Sequence, residues 1–541
     1  MSQNYPASSL THDLTCFPYG VGHGMEGVCL LVKMGPHRIL LDCGLEDPQP
    51  LRAEQPSFAF CSHAHDDHAR GLLAFHELFP PVPIYASAVT IELLPLNWPT
   101  VESVSGWCEA LPWRSPLELE PGLVAEIFPA GHLPGAAAIL LTYQSSERAY
   151  TLLYTGDFCL SNFQLVEGLS VEALRGLAPD VLIIEGSYGT ARHVHRRQQE
   201  KQLMQRIHQA LLGGQNVLLP VPTLGIGQEI LKLLRSHHQF TGRDLDIWVE
   251  GNVAQACDIY LQLLSQFPAS VQNFAQHQPL FWDERVCPRM HRITPQSQPQ
   301  GPLPHIIITS NAADLQEYCS SSDSWLVLLP EHPRGTLDVE PLLGRSHLEV
   351  ETYLLAEHSD GRNTTQLIHN LRPQHVVFVH GSPAYLADLT SLEELQTRYQ
   401  LHSPSAGTLV NLPVGSTFLQ PAVPHQAYYD GEINEVETIT ITLTKAISSD
   451  PRWANLADTG VIEARWQGDE LVLRGLSQRE LISQNNEARA LANLDCCGTC
   501  LHYRKQHCRN PASHLYGLKV TPQGYCPAYE ESDEEDDYSD I

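Results

Sequence analysis

The chain has 541 residues, enough for three or four domains of ~150 residues each. Hydrophobic residues make up 43% and charged residues 18%, a globular composition that excludes a wholly disordered chain. The 62 acidic against 33 basic residues give a net charge of −29, a poor start for gripping polyanions over a broad surface.

No apolar stretch approaches the ~18–20 residues of a membrane span, and residues 1–15 lack a basic region followed by an apolar core. A cytoplasmic chain with no membrane partner is therefore expected. The charge is unevenly spread: residues 186–350 hold 13 basic and 15 acidic groups, while the last twelve residues carry eight acids and no base. Fourteen cysteines without a secretory signal argue against a disulfide framework. Nine of them, Cys16 to Cys319, are expected as small buried hydrophobes.

Residues 29–33 and 38–41 are apolar runs separated by Met-Gly-Pro, a hairpin signal, and the second ends in Asp42-Cys43-Gly44. The run 58–61 leads into Ser62-His63-Ala64-His65-Asp66-Asp67-His68, followed by a helical pattern at 71–79. Strand 124–128 ends near Gly131-His132, 151–154 at Gly156-Asp157, and 181–184 at Glu185-Gly186. Each buried strand stops where a histidine or an acid appears, the place where scaffolds carry chemistry.

From about 195 the texture changes to strand–helix alternation. A helix at 195–212 closes on Gly213-Gly214, with a strand at 217–221, a helix at 225–236 and strands at 306–309 and 325–329. A Pro/Gln-rich stretch at 295–304 is expected as a loop. The first texture then returns, with 353–355 running into Glu357-His358 and 376–379 into His380-Gly381. An α/β block inside an interrupted pattern predicts one domain inserted into another.

His63-x-His65-x-Asp67-His68 places four potential ligands in six residues. In an extended segment His63 and His65 point the same way, and a turn at Asp67-His68 swings two more toward a nearby position. Neutral imidazole and carboxylate suit Zn²⁺.

These residues, in this order, resemble the metallo-β-lactamase superfamily and within it the β-CASP nucleases, over about residues 15–415. Asp42 in LLDCG matches the first motif, His63, His65, Asp67 and His68 the second, His132 in GHLPG the third and Asp157 in YTGDF the fourth. Glu185 in IIEGSYG, His358 in AEHSD and His380 in VFVHGS match the β-CASP motifs.

The resemblance implies an α/β fold: a metallo-β-lactamase αββα sandwich in two parts, 1–186 and 351–418, with a β-CASP domain inserted at 187–350. It also implies two zinc ions. His63, His65 and His132 would hold one, Asp67, His68 and His380 the other, and Asp157 would bridge them. Asp42 would stand behind the ligands and orient the histidine loop; as a plain strand-ending turn residue it would do neither.

Such a pair of ions would activate water for in-line attack on phosphorus. A general acid must then protonate the leaving oxygen, and His358, oriented by Glu185, is the candidate. Asp67, Glu185 and His358 are thus the expected catalytic residues. Glu185 could instead cap a following helix.

Two positions depart from the family pattern: Gly225-Ile226-Gly227-Gln228-Glu229 lacks the usual arginine after the glycine, and Leu355-Ala356-Glu357 replaces Ser-Ala before His358. The expected activity is metal-dependent cleavage of single-stranded RNA, and the AEHSD form favours an endonuclease. A catalytically silent RNA-binding subunit and a hydrolase of a small ester or phosphodiester are the alternatives, and a homodimer is left open.

Beyond a linker at 419–429, alternation at 436–445 and runs at 461–466 and 471–474 predict a small β-rich domain, 430–489. Cys496, Cys497, Cys500, Cys508 and Cys526 in 490–529 offer thiolates for a structural Zn²⁺ or an iron–sulfur cluster, with His502 and His507 as substitutes. Tyr503, Arg504, Lys505 and Arg509 lend this module an aromatic and basic face. The acidic tail, 530–541, is expected to be disordered.

Overall fold

The computed structural model describes residues 14–415, apart from Glu147 and short stretches at 295–296, 300–303, 312–314, 320–322 and 332–346. Beyond them it describes four strands between 431 and 475, residues 500–504 and residues 507–510. The expected linker, the acidic tail, and Cys496, Cys497 and Cys526 lie outside the described residues. The chain divides into two compact units, Met1–Pro421 and Ala422–Ile541.

The first unit opens with six strands in one sheet: β1 (Leu14–Val21), β2 (Val28–Met34), β3 (His37–Leu41), β4 (Phe58–Phe60), β5 (Ile84–Ser87) and β6 (Cys108–Leu111). The hairpin expected around Gly35 pairs β2 with β3 antiparallel, and β3 to β6 then run parallel. A second sheet follows from β7 (Leu117–Glu120), β8 (Leu123–Pro129), β9 (Ala137–Gln144), β10 (Ala149–Tyr154) and β11 (Val181–Glu185).

The two sheets pack face to face because their strands alternate. Leu30, Val32 and Met34 of β2 join Ile139 and Leu141 of β9 and Leu152 and Tyr154 of β10 in one buried cluster. The opposite faces, carrying Cys29, Leu31, Leu140 and Leu153, belong to a separate cluster. Period-two burial on both sides of each sheet is the signature of a sandwich whose outer faces are covered. Each fully buried leucine contributes about 1.5–3 kcal/mol relative to exposure.

After β11 the chain leaves this sheet and builds a third. It contains β12 (Asn216–Val221), β13 (Asp246–Val249), β14 (Arg289–Arg292), β15 (Ile306–Ser310), β16 (Trp325–Pro330) and β17 (Leu348–Tyr353), in the order β14-β13-β15-β12-β16-β17. All its pairings are parallel, and β12 is buried at every position, as parallel strands flanked by helices require. Helices Arg196–Leu212 and Ile226–Ser236 lie within this segment. The chain then returns to the second sheet with β18 (His375–Val379), parallel to β11, and β19 (Gln400–His402), while β20 (Val410–Asn411) closes the first sheet against β1.

Two sequence expectations need correction, and one alternative drops out. The strand straddling residue 350 is the edge of the third sheet, so a boundary at 350/351 cuts through β17 rather than preceding it. Glu185 caps no helix: residues 186–189 form a turn, and the next helix begins at Arg196. Eight of the nine early cysteines are buried, but Cys287 is half-buried.

In the second unit, Gly431–Glu435 pairs with Ile439–Leu443 and Ile462–Gln467 with Glu470–Gly475, both antiparallel. The strand Gly431–Glu435 carries no clear alternation in the sequence and was not expected.

Candidate metal centre

The ends of seven strands meet at one edge of the sandwich and its insert. Asp42 follows β3, the histidine run follows β4, and His132 follows β8. Asp157 follows β10, Glu185 ends β11, His358 follows β17 and His380 follows β18. Asp42 and His380 adopt left-handed backbone, with φ of 58° and 52°. Such backbone costs of order 1–3 kcal/mol in a residue with a side chain, and is found where the surroundings over-determine it. Gly131, with φ of 78°, has no such freedom to change: a Cβ there would lie 2.4 Å from the carbonyl of Cys159.

The outward hydrogen bonds of five histidines decide which nitrogen each turns inward. His132 Nδ1 donates to Glu357 O at 2.9 Å and His65 Nε2 to Leu224 O at 3.4 Å. His68 Nδ1 donates to Asp42 Oδ2 at 2.7 Å. Ser62 Oγ gives its own proton to Asp42 Oδ2, so it accepts from His63 Nδ1 at 3.0 Å. Ser187 Oγ likewise donates to Glu185 and accepts from His380 Nδ1 at 2.7 Å. A neutral ring has one donor and one acceptor, so in the neutral form the inner nitrogen of each is a bare lone pair.

Those lone pairs face one another and face carboxylates. His65 Nδ1 lies 3.0 Å from His132 Nε2 and 3.2 Å from His63 Nε2. His68 Nε2 lies 3.2 Å from Asp67 Oδ2 and 3.3 Å from Asp157 Oδ2, and His380 Nε2 lies 3.3 Å and 3.5 Å from the same two atoms. His68 Nε2 and Asp157 Oδ1 are buried without a hydrogen-bond partner among the described residues. Acceptors facing acceptors in a dry site repel unless a cation stands among them. The donor set therefore fits divalent metal. Its members fall into overlapping groups: His63, His65, His132 and Asp157; Asp67, His68 and His380; and Asp157, Glu185, His358 and His380.

The electrostatics favour the neutral form at His63 and His132 and, with no cation present, the charged form at His68. Burial, reinforced by the neighbouring histidines, holds His63 and His132 well below the usual imidazole range, in the neutral form that ligates metal. Burial works against charge on His68 too, but the carboxylates of Asp157 and Asp42 outweigh it and push its pKa well up. Burial raises Asp157, and raises Glu185 to about 8.

Asp42 is saturated: it accepts from Ser62 N at 2.6 Å, Ser62 Oγ at 2.7 Å, Tyr154 Oη at 2.6 Å and His68 Nδ1 at 2.7 Å. Glu185 accepts from Phe158 N at 2.6 Å, from Ser187 Oγ, and from His358 Nδ1 at 2.8 Å. His358 also borders a cavity of about 310 Å³ whose walls include Arg196, Arg362, Asn363 and Gln366.

Sequence reasoning missed Ser62, Tyr154 and Ser187. Each sits within a motif it did quote, one to three residues from the histidine or acid that drew attention. The cysteine module lies in the second unit. There Cys500 precedes a small hairpin, Tyr503–Arg504 with His507–Cys508, in which Tyr503 pairs with Cys508.

Residues 37–218 match the beta-lactamase superfamily domain, and residues 345–399 the Zn-dependent metallo-hydrolase RNA specificity domain. With the sandwich and the histidine–aspartate centre, this chain belongs to the metallo-β-lactamase superfamily of Zn-dependent metallohydrolases. An uncharacterized protein of Synechocystis sp. is 52% identical over 96% of this chain and 97% of its own length. Integrator complex subunit 11 of Gallus gallus is 21% identical over 75% of this chain and 74% of its own. A probable RNase of Methanocaldococcus jannaschii is 28% identical over 43% of this chain and 58% of its own. No helix among the described residues is long and apolar enough to cross a membrane.

Proposed function

We propose that this chain is a ribonuclease that hydrolyses phosphodiester bonds of single-stranded RNA, endonucleolytically, with two zinc ions in the centre. The carrying observation is that the His63–His65–His132–Asp157 group and the Asp67–His68–His380 group lie side by side, with Asp157 Oδ2 3.3 Å from His68 Nε2 and 3.5 Å from His380 Nε2, next to the His358–Glu185 pair. His63, His65 and His132 would hold one ion and Asp67, His68 and His380 the other, with Asp157 common to both. The reading also takes 187–353 as an inserted β-CASP domain within the sandwich.

Bound zinc supplies Lewis acidity at a phosphoryl oxygen. The residues do the rest. Ser62, Ser187, Asp42 and the carbonyls of Leu224 and Glu357 keep the histidine lone pairs aimed inward before any ion arrives. Glu185 accepts the Nδ1 proton of His358, so a second proton, on Nε2, is the one available to a leaving 3′ or 5′ oxygen. The cavity beside His358 gives the leaving side of the chain room among Arg196, Arg362 and two amides. The RNA specificity domain match over 345–399, which contains His358 and His380, supports RNA as substrate.

Labelled single-stranded RNA and DNA of one sequence, incubated side by side with the zinc-loaded protein, test the proposal. Internal cleavage of RNA with DNA largely spared is the expected outcome. Hydrolysis of small diesters alone would overturn it.

A further inference from the structure

The helix Arg196–Leu212 begins in the inserted segment, yet its first turn reaches the loop that carries His358. Gln199 Oε1 accepts from Ala356 N at 2.8 Å, and Arg196 Nη1 donates to Ala356 O. Residues three apart on a helix share a face, so these two side chains grip one residue's backbone from both of its polar groups. Both are buried, at 3% and 6% exposure.

Neither side chain is free to turn away. Gln199 Nε2 donates to Val194 O at 2.7 Å, which leaves Oε1 as the end that meets Ala356. The Arg196 guanidinium lies over the Phe163 ring, 4.2 Å from its centroid, with Nε 3.5 Å from Glu200.

The gripped residue leads directly into the centre. The next carbonyl, Glu357 O, accepts from His132 Nδ1, and its side chain is held by the amide of Ile226 at the start of helix Ile226–Ser236. The residue after that is His358. A shift of the Ala356 peptide therefore moves the acceptor that fixes His132 and the backbone that carries His358 together.

We propose that Arg196 and Gln199 are positioning residues, which set the orientation of His132 and His358 through Ala356. The inference rests on the reading of His132 as a ligand and His358 as the acid. It assigns the inserted segment a part in building the centre, in addition to any contact it makes with substrate.

Full-length Gln199→Met removes the acceptor at nearly constant volume and charge, and Arg196→Lys keeps one donor for Ala356 O. The imidazole nitrogens of histidine-labelled protein report orientation and tautomer by ¹⁵N NMR, with or without turnover. Gln199→Met should shift the His132 and His358 signals. It should also lower kcat on RNA by about 10–100-fold, since misplacement by about 1 Å can cost 10²-fold.

KM should stay within about threefold, and the loss should shrink for diesters with good leaving groups, which need less protonation. Arg196→Lys should lie between wild type and Gln199→Met. Joining Gln199→Met to Arg196→Met should cost less than the product of the two, because both act through one peptide. Unshifted His132 and His358 signals in Gln199→Met, with only the melting temperature lowered, would overturn the proposal. So would a loss equal for all leaving groups. Were the chain to cleave no RNA at all, the function reading would fall while the NMR shifts still decided the positioning role.

Discussion

Ser187 Oγ stands 2.7 Å from His380 Nδ1, accepts a hydrogen bond from it and donates one to Glu185. One hydroxyl thus ties the last histidine of the centre to the carboxylate that also receives His358. On the far side of the centre Ser62 does the same between His63 and Asp42. Ser187→Ala should leave His380 Nδ1 without its acceptor in a dry site, a cost of about 1–3 kcal/mol. Weaker zinc retention and a several-fold loss of turnover are expected. Metal content after gel filtration, alongside a melt, checks it.

Asp157→Ala should abolish cleavage and lose metal together. Its Oδ2 lies within 3.8 Å of His63, His68, His132 and His380, and no other carboxylate among the described residues is paired with all four rings. Zinc measured per chain in wild type and variant decides this. A variant with full metal and no activity would mean that Asp157 serves the reaction and not the ions.

His358→Ala should retain zinc and still lose about 10²–10⁴-fold in turnover, the usual contribution of a general acid. Activated diesters should be spared. The third group of candidate ligands includes His358, so loss of one ion from this variant would reassign it as a ligand.

Stability at mildly acid pH should depend on His375 and His402. His375 Nε2 donates to Pro413 O at 2.9 Å, so its Nδ1 accepts from His402 Nε2 at 3.0 Å. Burial and then His375 lower His402 to about 4, and burial lowers His375 as well. The unfolded chain binds these protons near the ordinary value of about 6.5 and the folded chain only well below it. Their contribution is therefore complete above about 6.5 and is lost as pH falls toward 4. His402→Gln should flatten the fall in urea midpoint between those two values. An unchanged slope would place the acid sensitivity elsewhere.

Cutting the chain after Pro421 should leave a folded core that keeps the zinc of the histidine–aspartate centre, because the metal-centre residues all lie within the first unit. Full-length protein should carry about one further zinc, or brown colour with iron, if the cysteine module binds metal. Zinc equal in both forms, with titratable thiols at Cys500 and Cys508, would refute the module as a metal site.

The sequence by itself showed an α/β block interrupting an earlier pattern and the candidate ligands at strand ends, while the sandwich was an expectation from the resemblance. Strand alternation and buried parallel runs are local patterns, and His63-x-His65-x-Asp67-His68 is a local cluster legible without a fold. Asp157, His358 and His380 could be named because each directly follows a buried strand in a motif of a known family. Only the tertiary structure decided how the rings are turned. Which nitrogen of His132 faces inward depends on a carbonyl 225 residues away, and that of His65 on one 159 residues away. Serines at 62 and 187 become hydrogen-bond bridges only when an imidazole and a carboxylate close on them from different strands. The grip of Arg196 and Gln199 on Ala356 joins residues 160 and 157 positions apart. Hydrogen-bond direction is a property of atoms brought together by packing, and no pattern along the chain encodes it.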